Sequence, residues 1–220
     1  MIRAVITADV DNSMKLSKHD LTRLINCVEQ LTNTFLADGR VIVSEFFRGD
    51  GFQMVVTNPA DALEIAMTIK ASVNGLDNLD EGRLKRGQSI NTDVTISIAI
   101  GDTNATENIR TNNEDVFVLS GRGLEALKEK KQSIGVFSNA LSMQNELLTS
   151  LALWDFIMKT WTKKSAEVFS CKLKGRLEKE IAEELGISQP AVNHRATRAG
   201  WTPYTELLAR YKQLIKENHG

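Results

Sequence analysis

The sequence predicts an α+β protein: an antiparallel sheet with helices on one face, followed by an all-helical C-terminal unit. Three observations predict it. Short β-branched and aromatic runs alternate with helix-period stretches over residues 1–138. One pair of runs, Val41 to Thr57, VIVSEFFRGDGFQMVVT, is joined across Arg48-Gly49-Asp50-Gly51 and reads as a hairpin, because Asp-Gly supplies the backbone that a tight turn needs. From Lys163 onward the strand-type runs stop and short apolar stripes at helical spacing take over. The expected organisation is an α+β unit over 1–138, a connector helix over 139–162 and a helical unit over 163–220.

Taken in order, Ile2 to Asp9, IRAVITAD, is a strand that ends on a carboxylate. Ser17 and Asp20 open a helix carrying Leu21, Leu24, Ile25, Val28, Leu31 and Phe35, which stops at Asp38-Gly39. After the hairpin, Asn58-Pro59 has the form of an N-cap with Pro in the first turn, and Leu63, Ala66, Met67, Ile69 and Val73 form the buried stripe that follows. Asp77 to Asn91 reads as a polar loop. Asp93 to Ile100, DVTISIAI, alternates and predicts a half-buried strand. Asp102 to Glu114 is Asn- and Thr-rich and long for a connection, which suits either a mobile lid or an idle loop.

A helix is expected over 115–131, with Gly121 and Gly123 allowing close packing, and residues 115, 118 and 122 share one side of it. A short strand, Ile134 to Ser138, comes next. Asn139 then caps a helix in which Leu147, Leu151, Trp154, Met158 and Trp161 recur at spacings of three and four; the seam suits packing on a neighbouring unit or a dimer zipper.

The composition, 42% hydrophobic and 25% charged over 220 residues, excludes a disordered chain. Two cysteines, Cys27 and Cys171, have neither disulfide-framework nor zinc-site spacing, and MIRAVITADV lacks both signal-peptide form and transmembrane length, so a cytoplasmic protein free of the membrane is expected. Thr162 to Gly220 is basic, with eleven Lys and Arg against seven Asp and Glu.

Two features carry chemistry. If the first strand lies beside the hairpin, Asp9 and Asp50 meet at one sheet end, where paired carboxylates suit Mg²⁺ or Mn²⁺ and a phosphate-bearing ligand; alone, Asp50 reads as a turn former, and the second carboxylate brings the two readings level. The second feature lies in residues 163–201. Leu177, Ile181, Ala182 and Leu185 mark a helix that Gly186 ends, Ile187 enters the core, and Ser188 caps a further helix whose buried stripe is Val192, Ala196 and Ala199. That is helix-turn-helix grammar. The opposite face carries His194, Thr197 and Arg198, flanked by Gln189, Asn193 and Arg195, residue types that read base edges and phosphates of double-stranded DNA.

Residues TADVDNS, SEFFRGDGFQMVV, VTISIAIGD and DVFVLSGR, in this order, resemble the metal-binding strand end, Gly-Asp-Gly hairpin, later strand and catalytic helix of class III nucleotidyl cyclases. With Trp161-Thr162 and EIAEELGISQPAV added, nearly the whole chain resembles the SatD-like family of bacterial proteins. The resemblance implies a ferredoxin-like, nucleotidyl cyclase-like sheet and a homodimer. It also implies metal binding by Asp9, Asp50 and the carbonyl of Val10, with Arg122 acting across the dimer on the transition state and Asp115 matching the catalytic position at the start of the same helix. Val118 stands where the active cyclases have Asn. Diguanylate cyclases are a poorer match, Gly51 replacing the Glu of GGDEF. The expectations are therefore a DNA-binding regulator whose first unit senses a nucleoside triphosphate or a cyclic nucleotide; an active nucleotidyl cyclase; or a dimerisation scaffold in which Asp50 only makes a turn.

Overall fold

In a computed structural model of the chain, residues 1–47, 50–76 and 93–219 are described. Arg48 and Gly49 of the hairpin tip and the loop expected from Asp77 to Asn91 lie outside them. Five strands, β1 (Ile2–Val10), β2 (Val41–Phe46), β3 (Gly51–Val56), β4 (Val94–Asp102) and β5 (Ile134–Ser138), form one sheet in the order β2-β3-β1-β4-β5. The helices are α1 (Lys18–Ala37), α2 (Ala62–Asn74), α3 (Asp115–Lys130), α4 (Leu141–Met158), α5 (Lys163–Leu173), α6 (Glu178–Leu185), α7 (Gln189–Arg198) and α8 (Trp201–His219). The chain is α+β.

The local signals act as their chemistry requires. Ser17 accepts the Asp20 amide at 3.0 Å and donates to its carboxylate at 2.6 Å, closing the first turn of α1 with a cap worth about 1 kcal/mol. Asn58 caps a short 3-10 turn, Pro59–Asp61, that leads into α2. The hairpin pairs Phe46 with Phe52.

The sheet departs from expectation in two ways. It is mixed, because β4 and β5 run parallel while β1 pairs antiparallel with both β3 and β4. It is also covered on both faces. Ala4, Ile6, Ala8, Met54, Val56, Ile96 and Ile98 point to the side of α1, α2 and α4, whereas Val5, Val55 and Ala99 pack with Ile109, Val116 and Phe117 under α3. β1 and β4 carry small or apolar residues on both sides of the pleat, so helices on one face alone would leave Val5 and Val55 in water. For the same reason β4 is buried on both faces, Thr95 and Ser97 included, and not half-buried.

Smaller expectations are corrected likewise. Gly123 admits α3 to the sheet, since a Cβ there would overlap Phe137 and the Ser97 hydroxyl, but Gly121 faces open space. Ile109 is fully buried and its amide donates to Glu45 Oε1 at 2.9 Å, so the 102–114 segment is pinned to the sheet at that point. Asn139 does not cap α4; the cap position is Ala140, and Ser138 and Gln144 supply the side-chain hydrogen bonds. Leu177 precedes α6 as an exposed cap residue and takes no part in its core.

The seam of α4 faces inward: Leu147, Leu151, Trp154 and Met158 join the main core. So do Phe169 of α5 and Tyr204, Tyr211, Leu214 and Ile215 of α8, and one apolar core thus runs from the sheet into the C-terminal helices. Polar ties cross the same boundary. Tyr211 donates to the Pro59 carbonyl at 2.6 Å, Arg210 makes a two-pronged bond to Glu146, and Ser72 and Ser170 share a hydrogen bond at 2.9 Å.

Candidate functional site: a carboxylate pair and a helix face

The register places Asp9 opposite Gly51 across β1 and β3, and Asp50 is the next residue along. The two carboxylates come within hydrogen-bonding reach of each other, as the spacing of strand end and hairpin tip predicts. Burial pushes the Asp50 carboxyl up; a hydrogen bond from Ser13 opposes that, and the charge of Asp9 adds to it. Lys128, near the end of α3, places Nζ 2.6 Å from Asp9 Oδ2. Desolvation is the largest influence and acts against that ammonium, but the bond to Asp9 and the charges of Asp9, Glu125 and Asp11 together outweigh it and hold its pKa up.

More acid surrounds the pair. Burial raises the Asp11 pKa, partly offset by a hydrogen bond from Thr95 Oγ1 at 2.8 Å and reinforced by Asp93. Asp93 in turn holds Lys70, a fully buried side chain whose Nζ lies 2.7 Å from Asp93 Oδ1 and 2.7 Å from the Val94 carbonyl. Asn74 donates to the same carboxylate oxygen at 2.9 Å. Reading by sequence missed Lys70, Lys128, Asp11 and Asp93. The signals exist: Lys70 sits in a helix buried almost throughout, Lys128 continues the inward stripe of Leu124 and Leu127, and Asp11 shares with Asp9 the two-residue repeat of a strand face.

Asp115, Val118 and Arg122 do share one side of α3, and with Asn113 and Asn139 they line an open cavity of about 630 Å³ beside Gly101 and Asp102. That cavity is at the other end of the sheet, since Ile2 pairs with Asp102 and Asp9 with Thr95. At roughly 3.3 Å per residue Ile2 and Asp9 are about 23 Å apart along β1; Arg122 lies between them, two residues after Ser120, whose hydroxyl meets Thr7 Oγ1 at 2.8 Å. Within one chain Arg122 and Asp115 do not meet Asp9 and Asp50. Val10 ends β1 opposite Val94 and is buried. Among the described residues no group of three or more His, Cys, Asp or Glu side chains is arranged to hold a metal ion.

α5, α6 and α7 enclose a small core of their own, Val168, Cys171, Ile181, Ala182, Val192 and Ala196. Gly186 takes the left-handed conformation at φ +62° and ends α6, and Ser188 accepts the Ala191 amide at the start of α7. Gln189, Asn193, His194, Thr197 and Arg198 are exposed on the outer side and Arg195 is half-buried. None of the six makes a side-chain hydrogen bond or ion pair with the described residues. The far end of α7 is clamped: Trp161 Nε1 donates to the Ala199 carbonyl at 2.9 Å, and Gly200, at φ +79°, lets α8 leave against Trp154 of α4.

No helix among the described residues is long and apolar enough to cross a membrane. Neither a protein-family model nor a curated protein matches the chain.

Proposed function

We propose that the chain is a DNA-binding regulator in which α5, α6 and α7 form a helix-turn-helix, and the sheet unit binds a nucleotide with Mg²⁺ or Mn²⁺ and controls it. The observation that carries this reading is the outer face of α7: six base- or phosphate-reading side chains on one short helix, with no partner among the described residues, projecting from a three-helix core closed by Gly186. The first four strands support a ferredoxin-like arrangement, because the order β2-β3-β1-β4 with antiparallel neighbours is what two interlocked strand-helix-strand units produce. Selection from a randomised duplex pool, followed by affinity measurement with and without nucleotide and Mg²⁺, tests both halves. A single preferred sequence bound through α7 is expected, with affinity that changes on adding nucleotide. Binding that ignores sequence and is unmoved by Asn193→Ala and Arg198→Ala would defeat the DNA half, and operator affinity indifferent to every nucleotide would defeat the sensing half.

One observation favours a second reading, a nucleotidyl cyclase. Asp9 and Asp50 converge, and two like charges in a partly dry site are relieved by a cation, so their hard oxygens fit a divalent ion, held by the two carboxylates and the Val10 carbonyl. Such an ion, when bound, supplies Lewis-acid polarisation of a phosphate and its attacking hydroxyl. Arg122 and Asp115, which line the cavity beside Asp102 in the same chain, would come from a second copy, and Val118 offers no amide to orient a ribose. Incubation with each of the four nucleoside triphosphates and Mg²⁺ or Mn²⁺, with Asp50→Ala alongside, separates the two. A product that disappears in the variant makes the chain an enzyme.

A further inference from the structure

A cavity of about 560 Å³ lies between α1 and α2 of the sheet unit and α5 and α6 of the proposed reading unit, and none of the residues of the two features above lines it. Its volume falls in the range typical of small-molecule sites. The floor is apolar, built from Leu31, Phe35, Leu76, Leu173 and Leu185, with Thr and Ser hydroxyls at its edge.

The charges on its wall are not equivalent. Arg40 is tied to Asp38 at 2.7 Å and lies 3.8 Å from Glu64, Glu184 is paired with Arg176, and Glu167, which is itself engaged, acts on Cys171 in the opposite sense to Lys174. Lys174, the residue that ends α5, makes no side-chain hydrogen bond or ion pair among the described residues. Its field nevertheless reaches across the space. Both cysteines of the chain open on this cavity from opposite walls, burial pushes both thiols up, and the Lys174 ammonium opposes that rise at each. An apolar floor with one uncommitted ammonium at its mouth is the complement of an apolar body ending in a single negative group.

We propose that this cavity binds a small amphipathic anion, a medium-length apolar chain or ring system ending in one carboxylate, with Lys174 as its counter-ion. Two of the four walls belong to α5 and α6, so an occupant sits where it can bias the orientation of α7. That consequence rests on the DNA-binding reading; the binding itself does not.

The full chain is titrated with decanoate, below its micelle concentration, by calorimetry, and the labelling of Cys27 and Cys171 by N-ethylmaleimide is followed by mass spectrometry. One saturable site is expected, with both thiols labelled several-fold more slowly when it is filled. Decanol, which lacks the charge, and Lys174→Glu should each weaken binding by roughly tenfold or more, the scale of losing a charge-assisted hydrogen bond. Lys174→Arg should retain it. Thr34→Trp, at an exposed position of α1 that lines the space, should abolish it with the melting temperature unchanged. Absence of saturable binding, binding that leaves both labelling rates as they were, or binding untouched by Lys174→Glu would overturn the proposal. Failure to select a DNA sequence would sink the DNA-binding reading and leave this measurement standing.

Discussion

The Asp9 end of the sheet and the outer face of α7 are both dense in polar side chains, and the chain treats them in opposite ways. At the sheet end Asp9 is held by Lys128, Asp11 by Thr95, Asp93 by Lys70 and Asn74, and Asp50 by Ser13. On α7 the side chains of Gln189, Asn193, His194, Arg195, Thr197 and Arg198 have no hydrogen-bond or ion-pair partner among the described residues. A ligand at the first place must displace an internal bond before it gains one, which makes binding conditional; a ligand at the second meets groups whose bonds to water are easily exchanged. The difference is what the proposed function would require: one region poised between two sets of partners, the other standing ready.

The strongest way to break the comparison is to remove a partner that is wholly internal. Lys70→Ala leaves Asp93 and the Val94 carbonyl without their buried cation, and breaking such a pair costs about 3–5 kcal/mol. A large drop in the denaturant midpoint is expected. A loss under about 1 kcal/mol would mean that water replaces the ammonium at no cost and that the sheet end is softer than its geometry implies.

The opposite result is expected on α7. Asn193→Ala and Arg198→Ala should each leave stability within about 0.5 kcal/mol, because they are exposed and unpartnered. Each should weaken binding to a selected duplex by about 1–3 kcal/mol if it reads a base edge. Equal weakening on all sequences would reassign the side chain to phosphate.

These two regions were also unequally legible in the sequence. The turn from α6 into α7 was nearly transparent, because its grammar is local: Gly186 must be left-handed, Ser188 must cap, and Val192 and Ala196 fall on one stripe. The Asp9–Asp50 meeting was legible as a condition, needing only that β1 lie beside the hairpin. What surrounds it was not. Lys70 and Lys128 reach that end from α2 and α3, helices on opposite faces of the sheet, and no local rule says that α3 crosses to the second face. Only the double-sided apolar character of Val5, Val55 and Ala99 says so, and it is spread over three strands. The helical unit looked separable for a similar reason, since the residues that fuse it to the sheet, Phe169, Tyr204 and Tyr211, are scattered over forty-odd positions.

A weaker probe of the same end is pH. Asp155 of α4 accepts from the Ser133 amide at 2.9 Å and from its hydroxyl, and pairs with Lys159 at 2.6 Å, holding the turn that enters β5. Burial acts to raise its pKa, but Lys159 and Ser133 together hold it below the ordinary value. A carboxyl depressed in the folded state stabilises above its unfolded pKa of about 3.9 and loses that contribution as pH falls through the lower folded value. Asp155→Asn should therefore cost about 2 kcal/mol near neutrality, and its deficit relative to the parent should shrink as the pH is taken from 5 towards 2. A deficit constant across that range would show that the carboxylate charge contributes nothing there.

The smallest expected effect is the most informative about the sheet end. Lys128 and Asp9 are both partly exposed, 39% and 28% at the side chain, so their pair contributes under about 1 kcal/mol and Lys128→Ala should melt almost with the parent. The same substitution removes the cation that stands where a divalent ion would share Asp9. If Asp9 and Asp50 hold a metal, Mn²⁺ affinity should rise several-fold in Lys128→Ala, through loss of both the competing ammonium and its repulsion, and should vanish on adding Asp50→Asn. If instead neither the parent nor Lys128→Ala takes up Mn²⁺, the carboxylates are a strand end and a hairpin turn tied to a helix. The sheet unit would then answer to a different ligand from the one its acidic end suggests, and α7 would remain as it is.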